Sequence, residues 1–278
     1  MIINRLSVHN YRSIRKVELF LPRLAVLVGI NAAGKSNFCD SLDFLAEVYR
    51  HGLRVAVSRK GGYESICFRR ARRSKGAIEF HIDLSFPFKE ALRFKIFRRE
   101  WSKFKSSHWR IIHRFSFKVE SEKIGADFKI VRESLELIFI MDDKEYKLLS
   151  YERSDNNIKS RISNIKLVDK FLPDHVWDRI KFISERISDH YQETELFITY
   201  LQKILPPILT YCETVGSFRV YQISPRYGRE PGVPIPQPEL ERFGNNLPTI
   251  LAYFRDNEKI YFEKSYQKYV WLYPNLRL

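Results

Sequence analysis

The sequence predicts a mixed α/β fold, in which a strand–loop–helix unit is followed by an antiparallel β subdomain and a helical insertion. Three patterns in its 278 residues support this prediction. An apolar run, a glycine-rich segment and an amphipathic stretch follow one another over residues 24–45. Short segments then alternate between polar and apolar residues from Ile78 to about Tyr151, and helical spacing prevails from about Asp155 to Pro206.

The strand–loop–helix unit is indicated by its residue types. Leu24–Val28 have the length and β-branched content of a strand, while Phe38, Leu42 and Leu45 follow at helical spacing. Between them Gly29–Ser36 read Gly-Ile-Asn-Ala-Ala-Gly-Lys-Ser, the complete G-x-x-x-x-G-K-[ST] pattern of a phosphate-binding (Walker A) loop. The alternative interpretation is a glycine turn that carries a surface lysine.

The loop suits the phosphates of a nucleoside triphosphate, with ATP and Mg²⁺ as the expected cofactors. Backbone N–H groups of such a loop point at the β-phosphate, and the positive end of the following helix adds to the field. Lys35 would bridge the β- and γ-phosphates, and the Ser36 hydroxyl would be the Mg²⁺ ligand. The nucleotide-binding residues indicated by the motif are Gly29, Ala32, Ala33, Gly34, Lys35, Ser36 and Asn37.

Together with the alternating stretch Met1–Ile14, the loop resembles the start of SMC/RecF-like ABC-type ATPases. It is most similar to the AAA family ATPases grouped with the OLD (overcoming lysogenization defect) proteins, which are P-loop NTPases of the ABC-ATPase type. In that family an Asn-[Phe/Tyr]-[Arg/Lys]-Ser segment precedes the loop, and the third loop residue is typically Asn. Asn10–Ser13 and Asn31 match, so the resemblance implies that Arg12 and Asn31 lie near the nucleotide.

Later segments resemble the same family more weakly. They are Phe128–Leu135, Tyr221–Arg226 and Gly244–Pro248. The resemblance implies an ATP-binding lobe with a basic sheet over residues 1–150, a helical insertion over 151–215 and a return segment of the ATPase core over 216–278. The family's LSxG-like signature, its Walker B strand ending in Asp-Glu and its switch histidine are not visible in the sequence. The chain is therefore expected to stop before Walker B.

One segment resembles a Walker B strand. Leu137–Asp143 is an apolar run that ends in carboxylates, as a magnesium-binding strand would. However, Asp142 and Asp143 precede Lys144-Glu145 and a returning apolar segment, which is typical of a hairpin. We favour the turn, and the sequence assigns no catalytic residue.

Positive charge is concentrated in one region of the chain. The net charge is +15, and seventeen Lys and Arg residues but only five acids lie between Arg59 and Lys118. Aromatic residues interrupt this run, a composition that suits phosphate contacts beside base stacking. A solvated strand face or a docking surface for an acidic partner would explain it equally well. The nucleic-acid candidates are Arg69, Arg70, Arg72, Arg73, Lys75, Arg98, Arg99, Lys103 and Lys105.

The remaining composition narrows the class of protein. The hydrophobic content of 44% is ordinary for a globular chain, and no apolar run approaches the roughly 20 residues that a membrane span needs. Cys39, Cys67 and Cys212 are scattered and show no zinc or disulfide spacing. A soluble, cytoplasmic protein is expected.

The resemblance implies an ATPase subunit that couples nucleotide binding to dimerisation or to a DNA-processing or phage-defence partner. The partner would be a second copy or a separate ATPase or nuclease subunit, with DNA or RNA possible and no membrane. Without visible Walker B and signature segments, the chain alone is expected to hydrolyse ATP poorly. One alternative is a basic nucleic-acid-binding or regulatory module with a vestigial loop and no catalysis. Another is a nucleoside-kinase type of phosphotransferase, against which the Asn10–Ser13 segment argues.

Overall fold

A seven-stranded antiparallel sheet dominates the computed structural model, which describes residues 1–68, 76–93, 106–119, 127–154, 157–164, 194–229, 239–260 and 262–263. Its strands follow the spatial order β2-β1-β3-β4-β5-β6-β7, and every neighbouring pair is antiparallel. They are β1 (Ile2–Tyr11), β2 (Ile14–Leu19), β3 (Ile78–Pro87), β4 (His108–Val119), β5 (Phe128–Met141), β6 (Lys144–Ser154) and β7 (Asn157–Ile162). The predicted antiparallel sheet is therefore confirmed.

The described residues form six helices, which range in length from 4 to 17 residues. They are α1 (Lys35–His51), α2 (Leu53–Arg59), α3 (Tyr63–Ile66), α4 (Ile198–Leu201), α5 (Pro206–Gly216) and α6 (Leu247–Asn257). Short 3₁₀ helices cover Phe88–Arg93 and Tyr227–Arg229. Within this set α1 is the longest helix, and it starts at Lys35, near the end of the predicted phosphate-binding motif.

Alternation along the strands places the core between the sheet and α1. Side chains of a strand point to opposite faces in turn, so one face of the sheet is apolar. Phe44 of α1 lies on that face, with its ring 5.5 Å from Phe80 of β3 and 6.1 Å from Phe117 of β4. Helix α5 joins the same layer, where the rings of Tyr49 and Tyr211 are 5.6 Å apart. The packing fixes the position of α1, and with it the loop that precedes α1.

The prediction of a strand at Leu24–Val28 is wrong for this structure. Residues 24–30 form no strand, and Leu24, Val26 and Val28 are 81%, 74% and 86% exposed. A strand forms when its backbone N–H and C=O groups pair with a neighbour, and the strands of the described residues pair with one another instead. The apolar residue types were read correctly, but residue types alone do not supply a neighbouring strand.

The helical pattern expected over residues 155–206 also differs from the structure at both of its described ends. Asn157–Ile162 form the edge strand β7, paired with β6. Within this stretch the sequence predicts a second helix near Thr194–Leu205 that ends at Pro206-Pro207; the structure has the shorter helix α4 there, and a separate helix, α5, begins at Pro206, because proline lacks an N–H and fits the first turn of a helix. The sequence also predicts a helix through Trp177, Ile180, Ile183 and Ile187, and these residues lie outside the described ones.

Contacts divide the chain into two compact units, Met1–Phe218 and Arg219–Leu278. In the second unit α6 follows a loop in which the backbone N–H groups of Gln222 and Ser224 donate to the carbonyls of Arg242 and Phe243. Among the helices that the structure describes, none is long and apolar enough to cross a membrane.

Candidate functional site

The predicted phosphate-binding loop leads directly into α1. Gly34 adopts φ 94°, a left-handed conformation that favours glycine, and Lys35 is the first residue of the helix. In the described residues no side chain caps this end of α1, and its first turn contains no acid. The first N–H groups of a helix have no intrahelical acceptor. This end of α1 therefore presents free donors and a positive dipole, as an anion site requires.

The ammonium group of Lys35 folds back over the loop. Its Nζ donates to the carbonyl oxygens of Gly29 at 2.6 Å and Ile30 at 2.7 Å. Ala32 takes a left-handed φ of 64° between these groups, which makes the loop compact. Neutral carbonyls are weaker acceptors for an ammonium group than phosphate oxygens. Lys35 therefore lies where a phosphate could exchange with the loop's own carbonyl groups.

The Asn10–Ser13 turn lies against the end of the loop and the first turn of α1. Asn37 Nδ2 donates to Ser13 Oγ at 2.6 Å. The same hydroxyl lies 3.5 Å from the point that a Cβ on Gly34 would occupy, which is an ordinary van der Waals contact. Of the other sites named from the sequence, Asn31, Ala32, Ala33 and Ser36 are exposed along the loop.

Arg12 is held by a carboxylate that sequence reasoning did not identify. Its Nε lies 2.8 Å from Asp40 Oδ2, and its backbone N–H donates to the carbonyl of Ile66 at 2.7 Å. Asp40 also accepts from the Tyr11 hydroxyl at 2.7 Å and from Lys60 Nζ at 2.8 Å. The spacing of Asn37 and Asp40 could have revealed this contact, since residues three apart share a helix face.

The surroundings of Asp40 keep it ionised. Partial burial alone would raise the pKa of Asp40, but hydrogen bonds from Lys60 and Tyr11 and the charges of Lys60 and Arg12 outweigh burial and lower it. The pKa of Tyr11 is raised, first by burial and then by the charge of Asp40. The carboxylate of Asp40 is thus an anion that has two cationic neighbours, Arg12 and Lys60, and one neutral donor, the Tyr11 hydroxyl.

A cleft of about 560 Å³ opens beside the loop. Its walls come from the Asn10–Ser13 turn, from the first turn of α1 and from the segment that includes α3. The lining residues are Arg12, Ser13, Asn37, Glu64, Ser65, Cys67 and Phe68. The structure thus brings Arg12 and Asn37, two of the predicted nucleotide-binding residues, into one concave surface.

The segment Leu137–Asp143 ends in a hairpin turn and is not a Walker B strand, as the sequence analysis favoured. Met141 pairs with Lys144, and Asp142 and Asp143 between them adopt φ values of 50° and 58°. Two positive φ angles are typical of a tight two-residue hairpin turn. Over the described ranges, no group of three His, Cys, Asp or Glu side chains could hold a metal ion. The role of Ser36 as a Mg²⁺ ligand stays a prediction from the motif.

The nine nucleic-acid candidates all lie outside the described residues, in the ranges 69–75 and 94–105. Their role stays a prediction, and the structure adds no geometry to it.

A family model described as AAA ATPase domain matches residues 1–269. The search of curated proteins found no match.

Proposed function

We propose, because the chain belongs to the AAA ATPase domain family, that residues 29–37 bind the phosphates of ATP together with Mg²⁺. The observation that carries this proposal is the position of Lys35, whose ammonium group lies 2.6 and 2.7 Å from two loop carbonyls beside an uncapped helix end. A cation and several unused N–H donors at one point form a site for a multiply charged anion.

The residues present fit this cofactor. Lys35 would exchange its carbonyl contacts for phosphate oxygens, and the first N–H groups of α1 would donate to the same phosphate. The exposed Ser36 hydroxyl would hold Mg²⁺, which when bound neutralises the charge of the phosphates. The cleft lined by Arg12 and Asn37 offers room for the nucleoside next to the loop.

Within the family, we assign the chain to the OLD-like, SMC/RecF-like ABC-type ATPases, in which nucleotide binding is coupled to dimerisation or to a DNA-processing or defence partner. The loop and the Asn10–Ser13 turn support this assignment. So does the exposed apolar segment Leu24–Val28, in which Leu24, Val26 and Val28 are 81%, 74% and 86% exposed. A contiguous exposed apolar segment of this kind marks a surface that other polypeptide covers. The core would then be completed by polypeptide outside the described residues.

Calorimetric titration with ATP and Mg²⁺ tests the binding proposal. Lys35→Ala is expected to weaken binding at least about tenfold, because a charge-assisted contact worth about 1.5–3 kcal/mol is removed. Lys144→Ala, an exposed lysine at the β5–β6 turn, is the matched control and should bind as the parent does. Equal affinities of the two variants, or no heat with the parent protein, would refute the proposal.

A second measurement addresses hydrolysis. The sequence shows no Walker B or signature segment, so we expect the purified chain to release phosphate far more slowly than the roughly 1 s⁻¹ at the low end of ordinary enzymes. Lys35→Ala supplies the background rate. Phosphate release faster than about 1 s⁻¹ by the parent protein, and its loss in Lys35→Ala, would contradict this expectation. Such a result would show that the catalytic groups are present in this chain.

A further inference from the structure

The sheet has a second surface of distinct chemistry, formed by the outward side chains of β4–β7 and called here the open face. It is opposite to the face covered by α1 and α5. Register places Arg114, Ser134, Glu152 and Lys159 side by side across the four strands. Arg161 lies two residues further along β7, and Arg114, Lys159 and Arg161 are all exposed.

Acids on this face are mostly engaged by other basic side chains. Arg110 binds Asp83 at 2.7 Å and Glu145 at 2.8 Å. Lys147 binds Glu136 at 2.9 Å. The basic residues of this face that have neither a hydrogen bond nor an ion pair within the described part of the chain include Arg114, Arg132, Lys159 and Arg161. Glu152 is the one acid in the row between them, so the open face carries unneutralised positive charge.

The open face is also concave. A depression of about 320 Å³ contains Arg114, Lys159 and Arg161, together with Glu152 and the Lys147–Glu136 pair. Its outward hydroxyl groups, which can donate to an anion, belong to Ser134 and Ser150. The positive field reaches the neighbouring strand, because burial and the charges of Arg114 and Arg5 together lower the pKa of His81 to about 4.

The spacing of the charges indicates the size of the ligand. Arg114 and Lys159 lie three strands apart, which is about 14 Å, and Lys159 and Arg161 are about 7 Å apart along one strand. A single phosphate cannot reach all three cations, whereas a chain of phosphates can. No Phe, Tyr or Trp is among the outward side chains described for β4–β7, so this face offers no platform for base stacking.

We propose that the open face binds duplex nucleic acid through its phosphate backbone, without reading sequence. Duplex nucleic acid presents about one charge per 1.7 Å of helix axis, the densest regular array of phosphates available to such a surface. Arginine, lysine and serine side chains make phosphate contacts that position a protein on a duplex. This inference uses none of the loop residues and does not rest on ATP binding.

Fluorescence anisotropy with a labelled DNA duplex of mixed sequence, measured over a salt series, tests this inference. The double variant Arg114→Gln/Arg161→Gln removes two cations of the open face. The expected result is a decrease of about 2 in the slope of log affinity against log salt, since each neutralised phosphate contributes about 0.9. Arg54→Gln/Lys259→Gln lowers the net charge equally but changes no residue of β1–β7, and its slope should match that of the parent.

Three outcomes would overturn the inference. They are an equal loss of slope in both double variants, tighter binding of a single strand than of a duplex of the same length, and displacement of the duplex by millimolar inorganic phosphate. Circular dichroism checks folding, and Lys159→Gln/Arg161→Gln on the edge strand is the substitute if the first variant unfolds. Lys35→Ala should bind the duplex as the parent does, which separates this result from the test of ATP binding.

Discussion

Nε of Arg12 lies 2.8 Å from Oδ2 of Asp40, so the turn that ends β1 is joined to the helix that begins at the phosphate-binding loop. Asp40 is the fifth residue after Lys35 in the chain, and it accepts from Tyr11 at 2.7 Å as well. One carboxylate therefore holds the sheet and the loop-bearing helix together. A change at Asp40 should act on the position of Arg12 and on stability at once.

Asp40→Asn is expected to lower the free energy of unfolding by about 2 kcal/mol, because Arg12 and Lys60 lose their shared counter-charge. Urea unfolding at pH 7 measures the loss. The pKa of Asp40 in the folded state lies below its unfolded value of about 3.9. Its contribution is thus complete above that value and disappears as the pH falls through the lower folded pKa. The difference between parent and variant should narrow in that acidic range.

Asp256→Asn is the control for this prediction. Asp256 is 58% exposed and pairs with the neighbouring Arg255 on α6. Solvent screens surface pairs of this kind, so the control should stay close to the parent. Equal losses in the two variants would contradict the role assigned to Asp40.

Glu133→Gln should be among the more destabilising single changes in the sheet. The buried Glu133 accepts from His113 Nε2 at 3.2 Å, from the Tyr151 hydroxyl and from the backbone N–H groups of Phe197 at 2.8 Å and Ile198 at 3.1 Å. Burial alone would raise the pKa of Glu133, but hydrogen bonds from His113, Tyr151 and Phe197 contribute to lowering it. An amide cannot accept all these bonds, and we expect a loss of about 3 kcal/mol in urea unfolding.

Glu136→Gln on the same strand is the matched control. Glu136 points to the opposite face of the sheet and pairs with a half-exposed Lys147 at 2.9 Å. Its neutralisation should cost less than about 1 kcal/mol. If both substitutions in β5 cost the same, the buried network around Glu133 would not be the source of stability.

Local patterns carried the predictions that the structure confirms. The hairpin turn at Asp142–Asp143 and the start of α1 depend on a few consecutive residues, and both could be read directly. The antiparallel sheet followed from alternation within short segments. The strand expected at Leu24–Val28 failed because pairing depends on a neighbour elsewhere in the chain, which composition does not reveal.

In the candidate site, too, local sequence patterns indicated some residues, whereas others depend on tertiary packing. The motif alone indicated Lys35 and its place at a helix end. The sequence did not indicate Asp40 and Lys60 as members of the site. Their contacts with Tyr11 and Arg12 depend on how α1 packs against the sheet. Sequence spacing supplied the phosphate chemistry, whereas tertiary packing supplies the residues that hold it in place.

His81 should make stability depend on pH in a specific range. Burial and the charges of Arg114 and Arg5 lower the pKa of His81 to about 4, against about 6.5 in the unfolded chain. The unfolded state therefore takes up a proton first, and stability falls as the pH drops from about 6.5 towards 4. Urea unfolding at pH 7 and pH 5 should show a smaller loss for His81→Gln than for the parent. An identical loss in both proteins would contradict a lowered pKa at this position.

Val28→Ser tests whether the segment before the loop is unsupported in solution. Val28 is 86% exposed, so the substitution should change the free energy of unfolding by no more than about 0.5 kcal/mol. Val8→Ser removes the same side chain at a fully buried position of β1, and it should cost about 2–3 kcal/mol through lost packing and a buried hydroxyl. Urea unfolding of the two variants gives the comparison. A loss at Val28 as large as that at Val8 would mean that residues 24–28 are covered in the isolated chain, and the argument for an ATPase core completed from outside the described residues would lose its support.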